Sequence, residues 1–142
     1  RQLFVMDDPF IEALDVVAVN KYMGWYHPWP VTPDRAVWDV ARGKPLIISE
    51  FGGEALYGQH GAADTASSWS EEYQEALYRD NLRMFEYIPN LRGVSPWILF
   101  DFRSPFRFHP TNQEGWNRKG LVSDRGYRKK AWYLMKAYYD KR

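Results

Sequence analysis

The chain has 142 residues, with 19 basic and 18 acidic side chains and a formal charge of +1. This balance excludes the strongly basic composition of many nucleic-acid-binding and membrane-surface proteins, and no apolar run approaches the ~20 residues of a membrane helix. Cysteine is absent, which excludes disulfides, thiolate metal sites and a cysteine nucleophile but does not indicate a compartment. We therefore predict a single domain over residues 1–142 with a hydrophobic core of its own.

The first half of the chain alternates between short helical and strand patterns. In chain order, these patterns predict a helix over residues 9–14, a strand over 15–22, a helix over 33–42 and a strand over 45–51. Nearly continuous apolar residues are typical of strands that are covered on both faces, and both strands have this character. The pattern therefore favours a parallel sheet.

The second half adds two longer helices and a third strand. A helix follows Ser68, whose Ser-x-x-Glu spacing to Glu71 can form a capping box, and this helix ends before Pro89. Part of residues 91–102 forms the third strand, and a last helix covers about residues 127–140. The alternation of strands and helices predicts an α/β fold with right-handed βαβ connections.

Aromatic side chains make up 18% of the chain, including seven tryptophans and ten tyrosines. Such rings fill protein cores, but they also form flat faces on which sugar rings stack. The run WYHPWP at residues 25–30 stands among loop-forming prolines, so a role in the core explains it poorly.

Polar and aromatic residues cluster after each of the three predicted strands. In a βα barrel, the active site lies at these carboxyl ends of the strands. The residues in question, in chain order, are Asn20, Tyr22, Trp25, Tyr26, Glu50, His60, Trp97, Asp101, Asn117 and Lys119.

Glu50 ends the predicted strand over residues 45–51 and is followed by glycines that let the backbone turn away. A carboxylate held in this way can attack the anomeric carbon of a sugar and form a glycosyl-enzyme ester. The alternative is a structural acid that caps the next turn or pairs with a nearby arginine.

Four segments then occur in a recognisable order: NKYMGWY at residues 20–26, KPLIISEFG at 44–52, WILFDF at 97–102 and NRKG at 117–120. Together they resemble the landmarks of the catalytic barrel of glycoside hydrolase family 2, which includes β-glucuronidases, β-galactosidases and β-mannosidases. The resemblance implies that the chain forms the C-terminal three βα units, strands 6 to 8, of a (β/α)8 TIM barrel. It also implies that Glu50 is the catalytic nucleophile of a retaining β-glycosidase.

The same resemblance implies that part of the machinery lies outside this chain. The general acid/base of the family is a glutamate in an Asn-Glu pair, and no Asn-Glu dipeptide occurs here. Retaining hydrolysis needs two carboxyl groups roughly 5 to 5.5 Å apart. We therefore expect the rest of the barrel and the N-terminal β-sandwich domains of the family as partners, and we expect the isolated chain to be inactive.

Several residues near Glu50 acquire roles by resemblance. Tyr22 matches a tyrosine whose hydroxyl lies near the nucleophile, where a phenol that donates to the carboxylate holds its orientation. Trp97 matches the aromatic residue that floors the sugar site, and Asn20 is placed to donate to a sugar hydroxyl or to Glu50. The alternatives are core positions for both aromatic residues and turn capping for Asn20. For Asp101, a structural pair with Arg103 or Arg107 competes with a substrate contact.

The resemblance also bears on which sugar is bound. The segment from Asn117 to Lys119 and the following glycine fits the Asn-x-Lys-Gly signature of the family's β-glucuronidases, in which amide and ammonium grip the uronate carboxylate. An ammonium and an amide form charge-assisted hydrogen bonds with a carboxylate, and a neutral galactoside has no carboxylate to form them. Tyr26 can add a hydroxyl donor, and Trp25 beside it is a further substrate-binding candidate. A β-galactosidase stays an alternative, because Lys-Gly also occurs near this point in those enzymes.

Other classes of site are not indicated. The three histidines lie far apart without the spacing of metal ligands, and no glycine-rich nucleotide-binding motif occurs, so we predict no metal and no cofactor. The triplet over residues 128–130 is predicted to be a solvated face. A non-catalytic carbohydrate-binding module, or a scaffold fragment that only completes a barrel, remains as a competing interpretation.

Overall fold

The computed structural model describes residues 2–5, 7–29 and 31–142. The strands are β1 (Gln2–Val5), β2 (Val17–Asn20), β3 (Ala36–Asp39), β4 (Leu46–Glu50), β5 (Leu91–Val94), β6 (Phe102–Arg103) and β7 (Trp116–Asn117). The α-helices are α1 (Glu71–Phe85) and α2 (Lys130–Tyr139), and short 3-10 helices cover Pro9–Ala13, Pro33–Arg35, Ala41–Gly43 and Ala66–Ser68. None of the helices in these ranges has the length and apolar character needed to cross a membrane.

The central element is a parallel sheet in the order β2-β4-β5. Leu46 and Ile48 on one face of the middle strand are fully buried, whereas Ile47 and Ser49 on its other face are only partly buried. The prediction that the strands are covered on both faces is therefore wrong. The predicted α/β fold with a parallel sheet is confirmed. The register places Asn20 opposite Glu50, with an irregularity after Val19, so the carboxyl ends of β2 and β4 lie side by side.

Helix α1 is present as predicted, but the predicted capping box is wrong. Ser70 is the N-cap, and its hydroxyl accepts a hydrogen bond from the Tyr73 amide at 3.0 Å. Trp69 adopts a left-handed conformation with φ of 52°, which ends the preceding 3-10 turn and leaves Ser68 outside the helix. Glu71 is therefore the first helical residue rather than the partner of a capping serine.

Glu71 instead ties the two helices together. It is almost fully buried, and its carboxylate accepts from the Gly58 amide and from the Lys130 amide, both at 2.8 Å. The second contact satisfies an otherwise unpaired amide at the start of α2. Helix α2 then packs against α1 through a buried stripe that includes Ala131 and Met135.

The helix predicted over residues 33–42 is wrong. A single 3-10 turn at Pro33–Arg35 leads directly into β3, which pairs in parallel with β1. Ala36 and Trp38 are buried while Asp39 is exposed, so the side chains follow the two-residue period of a strand. Strand β1 was not predicted from the sequence.

Candidate active site

Glu50 lies at the end of the middle strand, where its carboxylate is half-buried. The Tyr22 hydroxyl donates to Glu50 Oε2 at 2.6 Å, and the Lys21 amide donates to the Glu50 carbonyl oxygen at 2.8 Å. Burial raises the pKa of Tyr22, and the hydrogen bond to Glu50 and its charge raise it further. The phenol therefore stays protonated and remains a donor, which fixes the carboxylate orientation.

Two residues after Glu50, at Gly52, there is no room for a side chain. Gly52 has φ of +142°, and a Cβ there would lie 2.6 Å from the Tyr78 hydroxyl and 2.9 Å from the Trp97 carbonyl oxygen. The Trp97 amide also donates to the Phe51 carbonyl oxygen at 2.8 Å. These contacts hold half-buried Trp97 against the strand end that carries Glu50.

A tight turn after β2 brings two tyrosines together. The Tyr22 carbonyl oxygen accepts from the amides of Trp25, Tyr26 and His27 at 3.1 to 3.2 Å. The rings of Tyr22 and Tyr26 consequently meet edge to face, with centroids 5.1 Å apart. Trp25 packs edge to face on Trp69 at 5.4 Å, and with Tyr26 these rings line a shallow cavity of about 310 Å³.

Glu54 is the centre of a charged cluster that the sequence did not reveal. It lies four residues after Glu50 and is completely buried. Its carboxylate accepts from four groups: Arg107 Nη1 at 2.8 Å, the Arg118 amide at 2.9 Å, Lys119 Nζ at 3.0 Å, and Gln113 Nε2 at 3.0 and 3.1 Å. Burial alone would raise the pKa of Glu54, but Lys119 and these hydrogen bonds outweigh it and lower the pKa, so Glu54 is ionised.

The cations of this cluster reach the Tyr26 hydroxyl. Lys119 Nζ lies 2.7 Å from this oxygen, and both terminal nitrogens of Arg107 lie 3.3 Å from it. Burial raises the pKa of Tyr26, but the hydrogen bonds from Lys119 and Arg107 outweigh it and lower the pKa. Since both cations donate to this oxygen, the hydrogen of the half-exposed hydroxyl is directed away from them.

The Asn-x-Lys-Gly segment has a definite local geometry. Asn117 is buried, and its carboxamide oxygen accepts from the Lys119 amide at 3.0 Å, which leaves the NH2 group as the donor end. A Cβ at Gly120 would lie 2.2 Å from the Asp101 amide nitrogen, so only glycine fits here. The glycine therefore allows close approach of the segment to Asp101.

The pairs predicted for Asp101 are wrong. Its carboxylate accepts from Lys129 Nζ at 2.8 Å and from the Gly120 amide at 2.9 Å. Arg103 instead lies over the Trp116 ring, and Arg107 is engaged by Glu54.

The predicted solvated face over residues 128–130 is also wrong at its centre. Lys129 is completely buried, and its ammonium donates to the carbonyl oxygens of Ala55 at 2.6 Å and Arg118 at 3.0 Å as well as to Asp101. A buried ammonium is tolerated only when it is paired and hydrogen-bonded, and these three acceptors meet that need.

The remaining candidates lie apart from Glu50 or in other contacts. The Asn20 carboxamide oxygen accepts from the Ser49 hydroxyl at 2.7 Å, and Ser49 points to the strand face opposite Glu50. His60 lies 2.8 Å from Glu72, and the His109 ring packs on Trp69. Within residues 2–5, 7–29 and 31–142, no group of three histidine, aspartate or glutamate side chains is arranged to hold a metal ion.

The structure therefore assembles most sequence candidates into two adjoining parts. The first is the Tyr22–Glu50 pair with Trp97 at the strand end. The second is Tyr26 with the Lys119 ammonium, and the backbone amide of Lys119 donates to Asn117. Sequence reasoning missed Glu54 and assigned Arg107 to a different carboxylate. One signal in the sequence could have revealed Glu54. It is the one charged residue in the run at residues 51–56, and a charge at such a position is buried only when a partner neutralises it.

The chain is similar in sequence to β-glucuronidases, although no family model matches it. It is 31% identical over 155 residues to a β-glucuronidase of Streptococcus agalactiae, with 95% of this chain and 24% of the relative aligned. A β-glucuronidase of Bacteroides fragilis is 33% identical, with 88% and 19% aligned, and one of Sus scrofa is 30% identical, with 92% and 21% aligned. The chain thus spans about a fifth to a quarter of the length of these curated relatives.

Solved structures give the same relationship. A GH2 β-galacturonidase from Eisenbergiella tayi bound to galacturonate matches with a TM-score of 0.73 and 28% identity, over 90% of this chain and 24% of that one. Over most of its length, the chain is therefore similar to about a quarter of a GH2 enzyme. Part of a Ruminococcus gnavus β-glucuronidase has the same fold as this chain, with a TM-score of 0.74 and 23% identity over 93% of this chain and 23% of that one.

Proposed function

We propose that this chain is the nucleophile-bearing part of a retaining β-glycoside hydrolase. In this proposal β2, β4 and β5 are strands 6 to 8 of a TIM barrel. The other five strands of the barrel and the β-sandwich domains belong to the rest of the enzyme. The parallel order of the three strands and the similarity to part of a GH2 structure support this assignment. The residues gathered at the carboxyl ends of β2 and β4 are where a barrel carries its active site.

The observation that carries the proposal is the 2.6 Å hydrogen bond from Tyr22 to Glu50. The free carboxylate oxygen, Oε1, attacks the anomeric carbon while an acid from outside this chain protonates the departing glycosidic oxygen. The C–O bond to the aglycone breaks, and an ester between Glu50 and the sugar forms. Water then hydrolyses this ester, and the same external group takes up its proton. Tyr22 keeps Glu50 oriented before attack.

We further propose that the substrate is a β-uronide, with a glucuronide as the first candidate. Lys119, Arg107 and the Tyr26 hydroxyl form a group of donors next to the Tyr22 ring, and Lys119 Nζ lies 5.9 Å from its centroid. A sugar carboxylate would form charge-assisted hydrogen bonds there, whereas the neutral hydroxymethyl group of a galactoside would leave the net positive charge of the cluster without a counter-charge. A β-galacturonide is the second candidate, because a β-galacturonidase is among the structures similar to this chain.

The test uses the complete enzyme that carries this chain. A 2-fluoro β-glucuronide inactivator is expected to label Glu50, and Glu50→Gln is expected to abolish turnover while the thermal midpoint stays unchanged. Glu75→Gln serves as the matched control, because it makes the same change to a carboxylate on helix α1 that pairs with Arg79 at 3.1 Å. Labelling of another residue would refute the assignment of the nucleophile. Sugar binding without any turnover by the wild type would favour a carbohydrate-binding module.

The substrate class is tested with four aryl glycosides that share one leaving group. The β-glucuronide and β-galacturonide are expected to be cleaved with a higher kcat/KM than the β-galactoside and β-glucoside. A preference for the β-galactoside would favour the β-galactosidase alternative.

A further inference from the structure

We propose that Glu54 is a positioning residue for anion recognition, which holds Lys119 and Arg107 together at the Tyr26 hydroxyl. This inference rests on the proposed function, since it concerns how the same site selects a uronide. Glu54 does not touch the substrate in this proposal, because its side chain is 1% exposed and faces the two cations from behind.

The geometry is a pair of cations bridged on two sides. Glu54 Oε1 accepts from both Lys119 Nζ at 3.0 Å and Arg107 Nη1 at 2.8 Å, and the Tyr26 hydroxyl oxygen accepts from the same two groups. Two like charges repel each other, and of the two acceptors that bridge these cations only Glu54 carries a negative charge that offsets the repulsion. Glu54 thus determines where the ammonium and guanidinium lie.

The charges also fit a single anion. Lys119 and Arg107 contribute two positive charges and Glu54 one negative charge, which leaves a net charge of one for a substrate carboxylate to neutralise. Lys119 is 1% exposed, and an ammonium at this depth needs a fixed partner in the free enzyme. Glu54 provides that partner, and the outward-directed Tyr26 hydroxyl and 31% exposed Arg107 remain accessible to substrate.

A competing interpretation predicts the opposite sign. If Glu54 merely competed with the substrate for the cations, its removal would strengthen the binding of a uronate. If it positions them, removal lets the long lysine side chain leave the site, and uronate binding weakens although the net positive charge has increased.

The experiment compares the wild type, Glu54→Gln, Glu54→Asp and Glu71→Gln in the complete enzyme. Glu71 is the matched control, because it is another buried carboxylate of the same region whose acceptor contacts are with the Gly58 and Lys130 amides. For an aryl β-glucuronide, Glu54→Gln is expected to raise KM by roughly 10- to 100-fold with kcat changed by less than about threefold. Glu54→Asp keeps the negative charge on a shorter side chain, so its KM is expected to lie between those of the wild type and Glu54→Gln. Calorimetric titration with D-glucuronate should show the same order of affinity.

Each outcome decides the inference. An unchanged or lowered KM in Glu54→Gln would overturn it, and so would an equal rise in KM for Glu71→Gln, since that would indicate general loosening. If Glu54→Gln does not fold, the inference is decided by Glu54→Asp, which must raise KM by at least about threefold. A wild type that cleaves no β-uronide counts against the proposed function. A wild type that cleaves the glucuronide, together with a Glu54→Gln variant whose KM is unchanged, counts against this inference alone.

Discussion

Lys129→Met tests whether the buried lysine holds together the segments around Ala55, Asp101 and Arg118. Methionine keeps the length of the side chain but removes the ammonium, which leaves the buried Asp101 carboxylate with the Gly120 amide at 2.9 Å and Arg118 at 3.5 Å. Loss of one partner of a buried ion pair costs about 3 to 5 kcal/mol, and the carbonyl oxygens of Ala55 and Arg118 also lose a donor. We expect a loss of at least about 3 kcal/mol in the free energy of unfolding.

The assay is urea unfolding of the complete protein followed by tryptophan fluorescence, with the double variant Lys129→Met/Asp101→Asn alongside. The double variant should be less destabilised than the sum of the single variants, because Asp101→Asn removes the carboxylate that has lost its nearest cation. Lys130→Met is the matched control, since this neighbour is 43% exposed and pairs with Glu72, a type of contact worth about 0 to 1 kcal/mol. Equal small losses for Lys129→Met and Lys130→Met would refute the role of the buried ammonium.

Three further variants test other contacts. Tyr22→Phe removes one hydrogen bond to a charged group, so kcat/KM on an aryl glycoside should fall by roughly 10- to 150-fold with little change in thermal midpoint; an unchanged rate would show that Glu50 needs no such donor. Lys119→Ala should lower kcat/KM on an aryl glucuronide by roughly 30-fold to several thousand-fold and affect the matching galactoside far less, whereas equal losses would mark Lys119 as structural. Glu72→Gln should lower the thermal midpoint at pH 7, because Lys130 and His60 lower the pKa of Glu72 from 4.5 to about 2. A carboxylate with a lowered folded-state pKa stabilises the protein above pH 4.5 and loses this effect as the pH falls towards 2, so the difference from wild type should shrink in acid; a difference independent of pH would contradict this.

The parts of the site that could be anticipated are those fixed by neighbouring strands. Glu50 and Tyr22 both follow apolar strand patterns, and the carboxyl ends of adjacent parallel strands meet at one edge of a sheet. Local patterns together with the parallel order therefore predict that these residues lie near each other, whereas the contact between them was implied by the resemblance to glycoside hydrolase family 2. Helix α1 was equally accessible, because its apolar period extends over fifteen residues.

The features that escaped prediction depend on contacts between distant parts of the chain. Glu54 and Lys119 are 65 positions apart, and Lys129 meets Asp101 across 28 positions. A charged residue is normally assigned to the surface, and only a partner supplied by the fold reverses that assignment. Strand β3 was mistaken for a helix because a four-residue strand beside a 3-10 turn gives too short a pattern.

The hydrogen bonds of the Lys129 ammonium also limit where the sequence around the β6–β7 hairpin can change. One ammonium joins Ala55, Asp101 and Arg118, so both ends of the β6–β7 hairpin are anchored to the loop that follows β4. Residues 103–116 between those anchors supply Arg107 and Gln113, whereas Lys119 lies beyond them. Grafting a hairpin of different length between these anchors would replace Arg107 and Gln113 and leave Lys119 in place. Under the proposed function, we expect such a graft to change which sugars are accepted.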